Sequence, residues 1–233
     1  MPANLLVTYY STFGHVHALG QAVAEGARTV SGTDVRVRRI PEIEAARQAM
    51  SSIPFYVQIQ QQMSSIPEVS LDDLRWADGI AWGTPTRYGN MAAQVKQFLD
   101  TTGALWQAGE LEDKPAGVFV STANVGGGQE STIITTMVAL LHHGMILVGS
   151  PYGQNPGISG VEGRGGSPYG PGVIAGGDGS RQPNETELQT GRALGVRLAR
   201  AAALLRELRR KQPHGQQPDQ PVYTEGAPEG GKQ

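Results

Sequence analysis

The chain contains no cysteine. That absence removes disulfides, thiolate metal sites and cysteine nucleophiles together. No charge of one sign dominates either: 19 Lys and Arg stand against 21 Asp and Glu, a net charge of −2. A nucleic-acid binder neutralises phosphates with a basic face, and this composition supplies no such excess. The densest basic run, Arg206, Arg209, Arg210 and Lys211, falls at the end of an expected helix, where cations suit the negative end of the helix dipole. No run approaches the ~18 apolar residues that a membrane helix requires, so membrane insertion is not expected. The opening Met1-Pro2-Ala3-Asn4 leads straight into a short apolar strand, without the basic start and long apolar core of a signal peptide. A cytoplasmic location is the expectation.

What the chain has in excess is glycine, 32 of 233 residues, about twice the usual ~7%. The glycines gather around 126–128 and 149–179 and so mark particular loops. Elsewhere short β-rich runs alternate with amphipathic helices. Leu5 to Tyr9 reads as a buried strand, and Leu19, Val23 and Ala27 place a helix after it. Val35, Val37 and Arg39 form a second strand ending at Pro41. Gly79 to Gly83, Ala116 to Val120 and Met145 to Val148 supply three more. Helices are expected over Leu71–Ala77, Ala92–Thr101 and Gln129–His143, the last with Ile133, Ile134, Met137, Leu140 and Leu141 as its apolar face. A final helix is capped by Asn184 or Thr186.

Residues 41–75 are less regular. Met50–Pro54 (MSSIP) recurs as Met63–Pro67, but two copies do not make a solenoid. The segment reads as an insertion-like connection, with a short helix near Gln58–Met63. Residues 149–183 carry too much glycine and proline for regular structure. After Lys211 the Gln/Pro/Gly-rich stretch 212–233 reads as a disordered tail, leaving 1–211 as one domain. Strands alternating with helices indicate a parallel sheet covered on both faces. Five such strands fit the doubly wound, flavodoxin-like α/β order 2-1-3-4-5. In open sheets of this kind a ligand sits beyond the carboxyl ends of the strands, where the order reverses. The loops after strands one, three and four should therefore converge on it.

Those three loops have unusual composition. Ser11-Thr12-Phe13-Gly14-His15-Val16 opens the first helix, where free amides and the helix dipole stabilise a phosphate without any lysine. It lacks the patterns of nucleotide-triphosphate and dinucleotide loops, so a single phosphomonoester such as that of FMN suits it better. The plainer alternative is an ordinary helix cap. His15 and His17 lack a nearby carboxylate and read as surface histidines, not metal ligands. Gly83 to Asn90 (GTPTRYGN) offers Pro85 to fix the backbone, Arg87 as a permanent cation and Tyr88 as a flat side chain; a surface loop is the alternative. Ser121 to Glu130 (STANVGGGQE) has three glycines that let the backbone approach a planar ligand; a flexible helix entry is the alternative. His142, at the end of the following helix, is a candidate flavin contact or proton donor, with a helix-dipole role as the equal alternative. Trp106 is a candidate wall for flat aromatic substrates, with core packing as the equal alternative.

On these residues the chain resembles the WrbA family of flavodoxin-like NAD(P)H:quinone oxidoreductases. The matching segments are YYS-x-x-GH at Tyr9–His15, GTPTRYGN at Gly83–Asn90, FLD-x-TG-x-LW at Phe98–Trp106, GGGQE at Gly126–Glu130, HHGM at His142–Met145, RGG-x-PYG at Arg164–Gly170 and IAGGDGSRQP at Ile174–Pro183. The resemblance implies FMN with its phosphate at Ser11, Thr12, Phe13, Gly14, His15 and Val16. It implies Thr86, Arg87 and Tyr88 at the flavin ring, with Ser121, Thr122, Ala123, Asn124, Val125 and Gly126 on the second side. It also implies His142 against the flavin, and Trp106 with Phe13 against substrate. NADH or NADPH would deliver hydride to the flavin and leave before a quinone takes two electrons at the same place, a ping-pong order. A homotetramer whose flavin sites are completed by neighbouring subunits is implied as well. Phe13 stands where the family has tyrosine, the Ser121–Gly126 turn is one residue longer than the common form, and 41–70 and the tail match poorly. The competing readings are a flavodoxin-type electron carrier and an FMN-binding scaffold. A carrier usually presents a strongly acidic face, which a net charge of −2 does not provide.

Overall fold

The computed structural model describes residues 2–160 and 164–211; the expected tail at 212–233 lies outside the described residues. The chain runs β1 (Ala3–Tyr9), α1 (His15–Arg28), β2 (Thr33–Arg39), α2 (Glu44–Met50), α3 (Pro54–Gln62), α4 (Leu71–Trp76), β3 (Gly79–Arg87) and β4 (Asn90–Met91). It continues through α5 (Ala93–Asp100), α6 (Gly103–Gln107), β5 (Pro115–Thr122), α7 (Gln129–His142), β6 (Ile146–Leu147), β7 (Gly172–Ile174) and α8 (Glu185–Lys211). The sheet order is β2-β1-β3-β5-β6, and the pairs along this path are parallel. This is the flavodoxin-like arrangement expected from the strand and helix alternation, with strands added.

Strand periodicity sorts the core into two layers. Leu6, Ile80, Trp82, Val118 and Val120 face α4, α5 and α7, meeting Leu74, Val95, Leu99, Ile133 and Leu140. Leu5, Val7, Tyr9, Ala81 and Phe119 face α1 and α8, meeting Leu19, Val23, Leu194 and Leu198. Because β1, β3 and β5 are covered on both faces, they read as continuous apolar runs. A Cβ on Gly83 would overlap the Phe119 ring and Tyr9, so the sheet closes at the site rim only with glycine there.

Five local expectations change. Residues 84–90 are not a free loop: β3 continues to Arg87 and folds back as a hairpin, with Thr86 opposite Met91 and Arg87 opposite Asn90. Residues 149–183 are not wholly irregular, because β7 pairs with the end of β5 (Val120 with Gly172, Thr122 with Ile174), on the same edge whose start pairs with β6. The fifth sheet position is thus a strand interrupted by a long excursion. The connection 41–70 holds two helices, α2 and α3, where one short helix was expected. Of the expected α7 face, Ile133, Met137 and Leu140 are buried, but Ile134 and Leu141 are exposed. The basic run at the end of α8 also does more than complement a dipole: Arg206 and Arg209 both pair with Asp78, at 3.4 and 3.0 Å.

Candidate functional site

The carboxyl ends of β1, β3 and β5 open onto one cavity of about 420 Å3, within the ~300–1,000 Å3 usual for small-molecule sites. Its walls are Ser11, Thr12, Phe13, His15 and Val16 from the turn after β1, then Pro85, Thr86 and Arg87 from the end of β3. Ser121, Thr122 and Ala123 follow β5, and Ala175–Gly179 follow β7. The three loops picked out in the sequence do meet.

The turn after β1 leaves backbone amides at the start of α1 without partners in the helix. Gly14 caps α1 with φ +89°, a left-handed conformation natural to glycine. The intrahelical ladder begins with Ala18 N–H to the Gly14 carbonyl, and His17 N–H donates to Ser11 Oγ at 3.2 Å. The amides of His15 and Val16 precede that ladder, so they have no intrahelical acceptor. Ser11 is therefore a cap that reaches in from outside the helix. Arg87 spans the cavity edge and donates from Nη2 to Thr12 Oγ1 at 3.0 Å. Thr86 turns its hydroxyl to Thr132 of α7, 2.5 Å away. An array of backbone amides beside a hydroxyl and a guanidinium, with no lysine, is the donor set expected around a phosphomonoester.

His15 is not a surface residue, and His17 is only partly exposed. His15 is buried, and its Nε2 meets the Arg181 carbonyl at 3.1 Å. Burial lowers its pKa below the ordinary histidine value. A carbonyl only accepts, so Nε2 carries the proton. His15 thereby holds the fourth loop against α1. His17 Nδ1 lies 2.7 Å from the Tyr9 hydroxyl.

That fourth loop lies in the glycine-rich 149–183 region, which the resemblance places near the site, although none of its residues was an expected cofactor contact. Ala175 N–H donates to the Thr122 carbonyl (2.7 Å) and Gly176 N–H to the Ala123 carbonyl (3.0 Å), zipping it onto the end of β5. Asp178, an acid at the cavity, turns its Oδ1 back to Ser180 N–H and Oγ, which hold its carboxyl below the usual range. Behind the loop sits Glu187, fully buried, accepting from Gly165 N–H, Ile174 N–H, Arg181 and Asn184 N–H. The Gly172-Val173-Ile174 run was the available signal, but three residues are too few to separate a strand from a loop.

Several expected site residues stand apart from the cavity. Gly14 faces Ile59 of α3. Tyr88 is fully exposed at the hairpin tip, with φ 54°. Asn124, Val125 and Gly126 project beyond the cavity wall, all exposed. Trp106 and His142 occupy the other rim of the sheet. α7 starts beside the cavity and its 14 residues carry the chain about 20 Å away. His142 is followed by Gly144, whose carbonyl accepts from Asp113 just before β5 begins. Trp106 belongs to the same region, since Thr102 at the start of α6 places Oγ1 2.9 Å from His143 Nε2. Trp106 and His142 are both exposed.

Known proteins share this architecture and sequence. The family described as NADPH-dependent FMN reductase matches residues 14–155. An NAD(P)H dehydrogenase (quinone) of Solidesulfovibrio magneticus is 47% identical over 203 residues, covering 87% of this chain and 99% of that protein. A protein of the same name from Geobacter sulfurreducens is 47% identical over 204 residues, covering 87% and 98%. Among solved structures, a WrbA-like flavodoxin from Agrobacterium tumefaciens superposes with a TM-score of 0.60 at 24% identity, covering 87% of this chain and 98% of that one. The likeness to that structure concerns the fold. The relatives establish more: the chain belongs to the NADPH-dependent FMN reductase family and groups, at 47% identity, with the NAD(P)H dehydrogenase (quinone) proteins.

Proposed function

We propose that the cavity at the carboxyl ends of β1, β3 and β5 binds FMN, and that the protein uses it to oxidise NADH or NADPH and reduce a quinone. The observation that carries this reading is the meeting of the three loops at one rim, with a lysine-free amide cradle on one side. When bound, FMN supplies the two-electron chemistry, accepting hydride from a nicotinamide and passing electrons to a quinone. The chain supplies binding and orientation. The amides of His15 and Val16, with Thr12 Oγ1, take the phosphate. Arg87 provides a fixed cation at the cavity edge. The backbone at Ser121–Ala123 and the Ala175–Gly179 loop close the remaining sides and limit water access.

Trp106 and His142 enter the reading through a second copy of the chain. They lie too far from their own cavity, yet beside an exposed apolar stripe on α7, formed by Ile134, Val138 and Leu141. Such a stripe at helical spacing suits a contact between copies, and burying it would carry His142 into the contact. We therefore read the active form as a homotetramer in which neighbouring subunits complete each site. A cytoplasmic location belongs to the same proposal, because the reduced nicotinamide pool that would feed the enzyme is held there. The test is NAD(P)H-dependent reduction of benzoquinone with and without added FMN. Turnover that requires FMN, with parallel double-reciprocal lines, supports the reading. FMN binding without turnover points to an electron carrier, and intersecting lines count against alternate use of one site.

A further inference from the structure

The helix α3 lies in the connection between β2 and β3, and none of its residues lines the cavity. Yet it touches nearly every residue of the turn after β1. Phe55 stacks on Phe13, with ring centroids 6.0 Å apart and planes within 8°, and Tyr56 meets Phe13 edge-on at 6.4 Å. Ile59 backs Gly14, its Cδ1 lying 3.4 Å from where a Cβ would stand. Gln60 donates from Nε2 to the carbonyls of Ser11 and Thr12, both at 3.0 Å. The helix is itself anchored: Tyr56 is buried and its hydroxyl donates to Glu42 at 2.9 Å, the carboxylate that also accepts from Tyr10 at the end of β1.

A trans peptide is planar, with its C=O and N–H pointing in opposite directions. Gln60 holds two successive carbonyls of the turn toward α3. The N–H groups across those same peptides belong to Thr12 and Phe13, and they must point away from α3, to the side where the cavity lies. Among the described residues neither amide donates to another group of the chain. We infer that Gln60 is a positioning residue for the cofactor phosphate: by fixing the Ser11 and Thr12 carbonyls, it turns the Thr12 and Phe13 amides into the cradle. The same donor on both carbonyls stops either peptide from flipping and presenting an oxygen to the anion. The inference rests on the phosphate being held at this turn.

FMN and riboflavin differ only by the phosphate, so their affinities separate cradle from ring. Apo-protein is titrated with each by flavin fluorescence, for the wild type, Gln60→Leu and Gln60→Glu. Leucine removes the donors without adding charge, and glutamate keeps the shape but offers only acceptors. The FMN Kd is expected to rise about 10- to 100-fold in both variants, the worth of one charge-assisted hydrogen bond. The riboflavin Kd should stay within about twofold in the same pair, which also reports that the fold is intact. An FMN affinity unchanged by Gln60→Leu overturns the inference. Equal losses for both flavins also overturn it, because they assign Gln60 to the fold. A wild type that does not prefer FMN to riboflavin removes the phosphate from this turn, and the inference falls with that placement.

Discussion

Replacing Glu187 by glutamine probes how the fourth wall of the cavity is held. The Glu187 side chain is fully buried, and its two oxygens share five short contacts with donors. Oε1 accepts from Gly165 N–H at 3.0 Å, Ile174 N–H at 3.2 Å and Arg181 at 3.1 Å. Oε2 accepts from Arg181 and Asn184 N–H, both at 2.9 Å. Glutamine preserves the volume but replaces one oxygen by an amide nitrogen, which cannot accept. In either orientation that nitrogen faces at least two donors. Each buried unsatisfied donor costs about 1–3 kcal/mol, and breaking a buried pair from one side costs about 3–5 kcal/mol. Arg181 is 33% exposed and can recover some hydration, so the lower end, about 3 kcal/mol, is expected. For a domain of this size that corresponds to a fall in Tm of about 6–12 °C. Differential scanning calorimetry gives the Tm, and hydrogen exchange should show lost protection at Gly165 and Ile174. A variant melting within about 2 °C of the wild type, with those amides still protected, would refute the reasoning.

Lys114 is buried, donating to the Leu74 and Arg75 carbonyls, and burial lowers its pKa to about 8. The unfolded chain holds that proton up to the ordinary lysine value, so the folded form is penalised below pH 8 and the penalty lifts as pH rises above it. Wild type should gain stability between pH 7.5 and 9.5 relative to Lys114→Met, by an amount on the order of 2 kcal/mol read from urea unfolding; equal slopes would place the amine in water. Arg87→Ala removes the cation on Thr12 Oγ1, and the FMN Kd should rise about 10-fold. An unchanged Kd takes Arg87 out of the site. Trp106→Ala and Arg87→Ala, each impaired, should regain activity when co-refolded, since about a quarter of sites in a random mixture draw both intact halves from different chains. No recovery beyond the sum of the parts would mean that each chain builds its own site.

The sequence was legible where burial on both faces writes a continuous apolar signal, as in Leu5–Tyr9, Gly79–Gly83 and Ala116–Val120. The loops that follow those strands were legible because their glycines and hydroxyls have no role in a core. Helix α3 was legible only in its second half, as the short helix expected near Gln58–Met63: it begins at Pro54, is rich in glutamine, and buries only Tyr56, so little periodicity marks it. Its importance comes from single contacts to Phe13, Gly14, Ser11 and Thr12, which no local pattern encodes. β7 stayed hidden because its three residues become a strand only by pairing with β5. Helix α7 is apolar on two sides, and the sheet alone decides that Ile133 goes in and Ile134 stays out. Trp106 and His142 show a further limit. A motif gives order along the chain, whereas the rim a residue occupies depends on which way its helix runs.

The central claim is that the three rim loops enclose FMN, and a crystal structure of the protein grown with FMN tests it most directly. The account predicts flavin density between Ser11–Val16, Pro85–Arg87 and Ser121–Ala123, with the phosphate on the first turn of α1. FMN bound elsewhere on the molecule, or lying with its phosphate away from that turn, would contradict it.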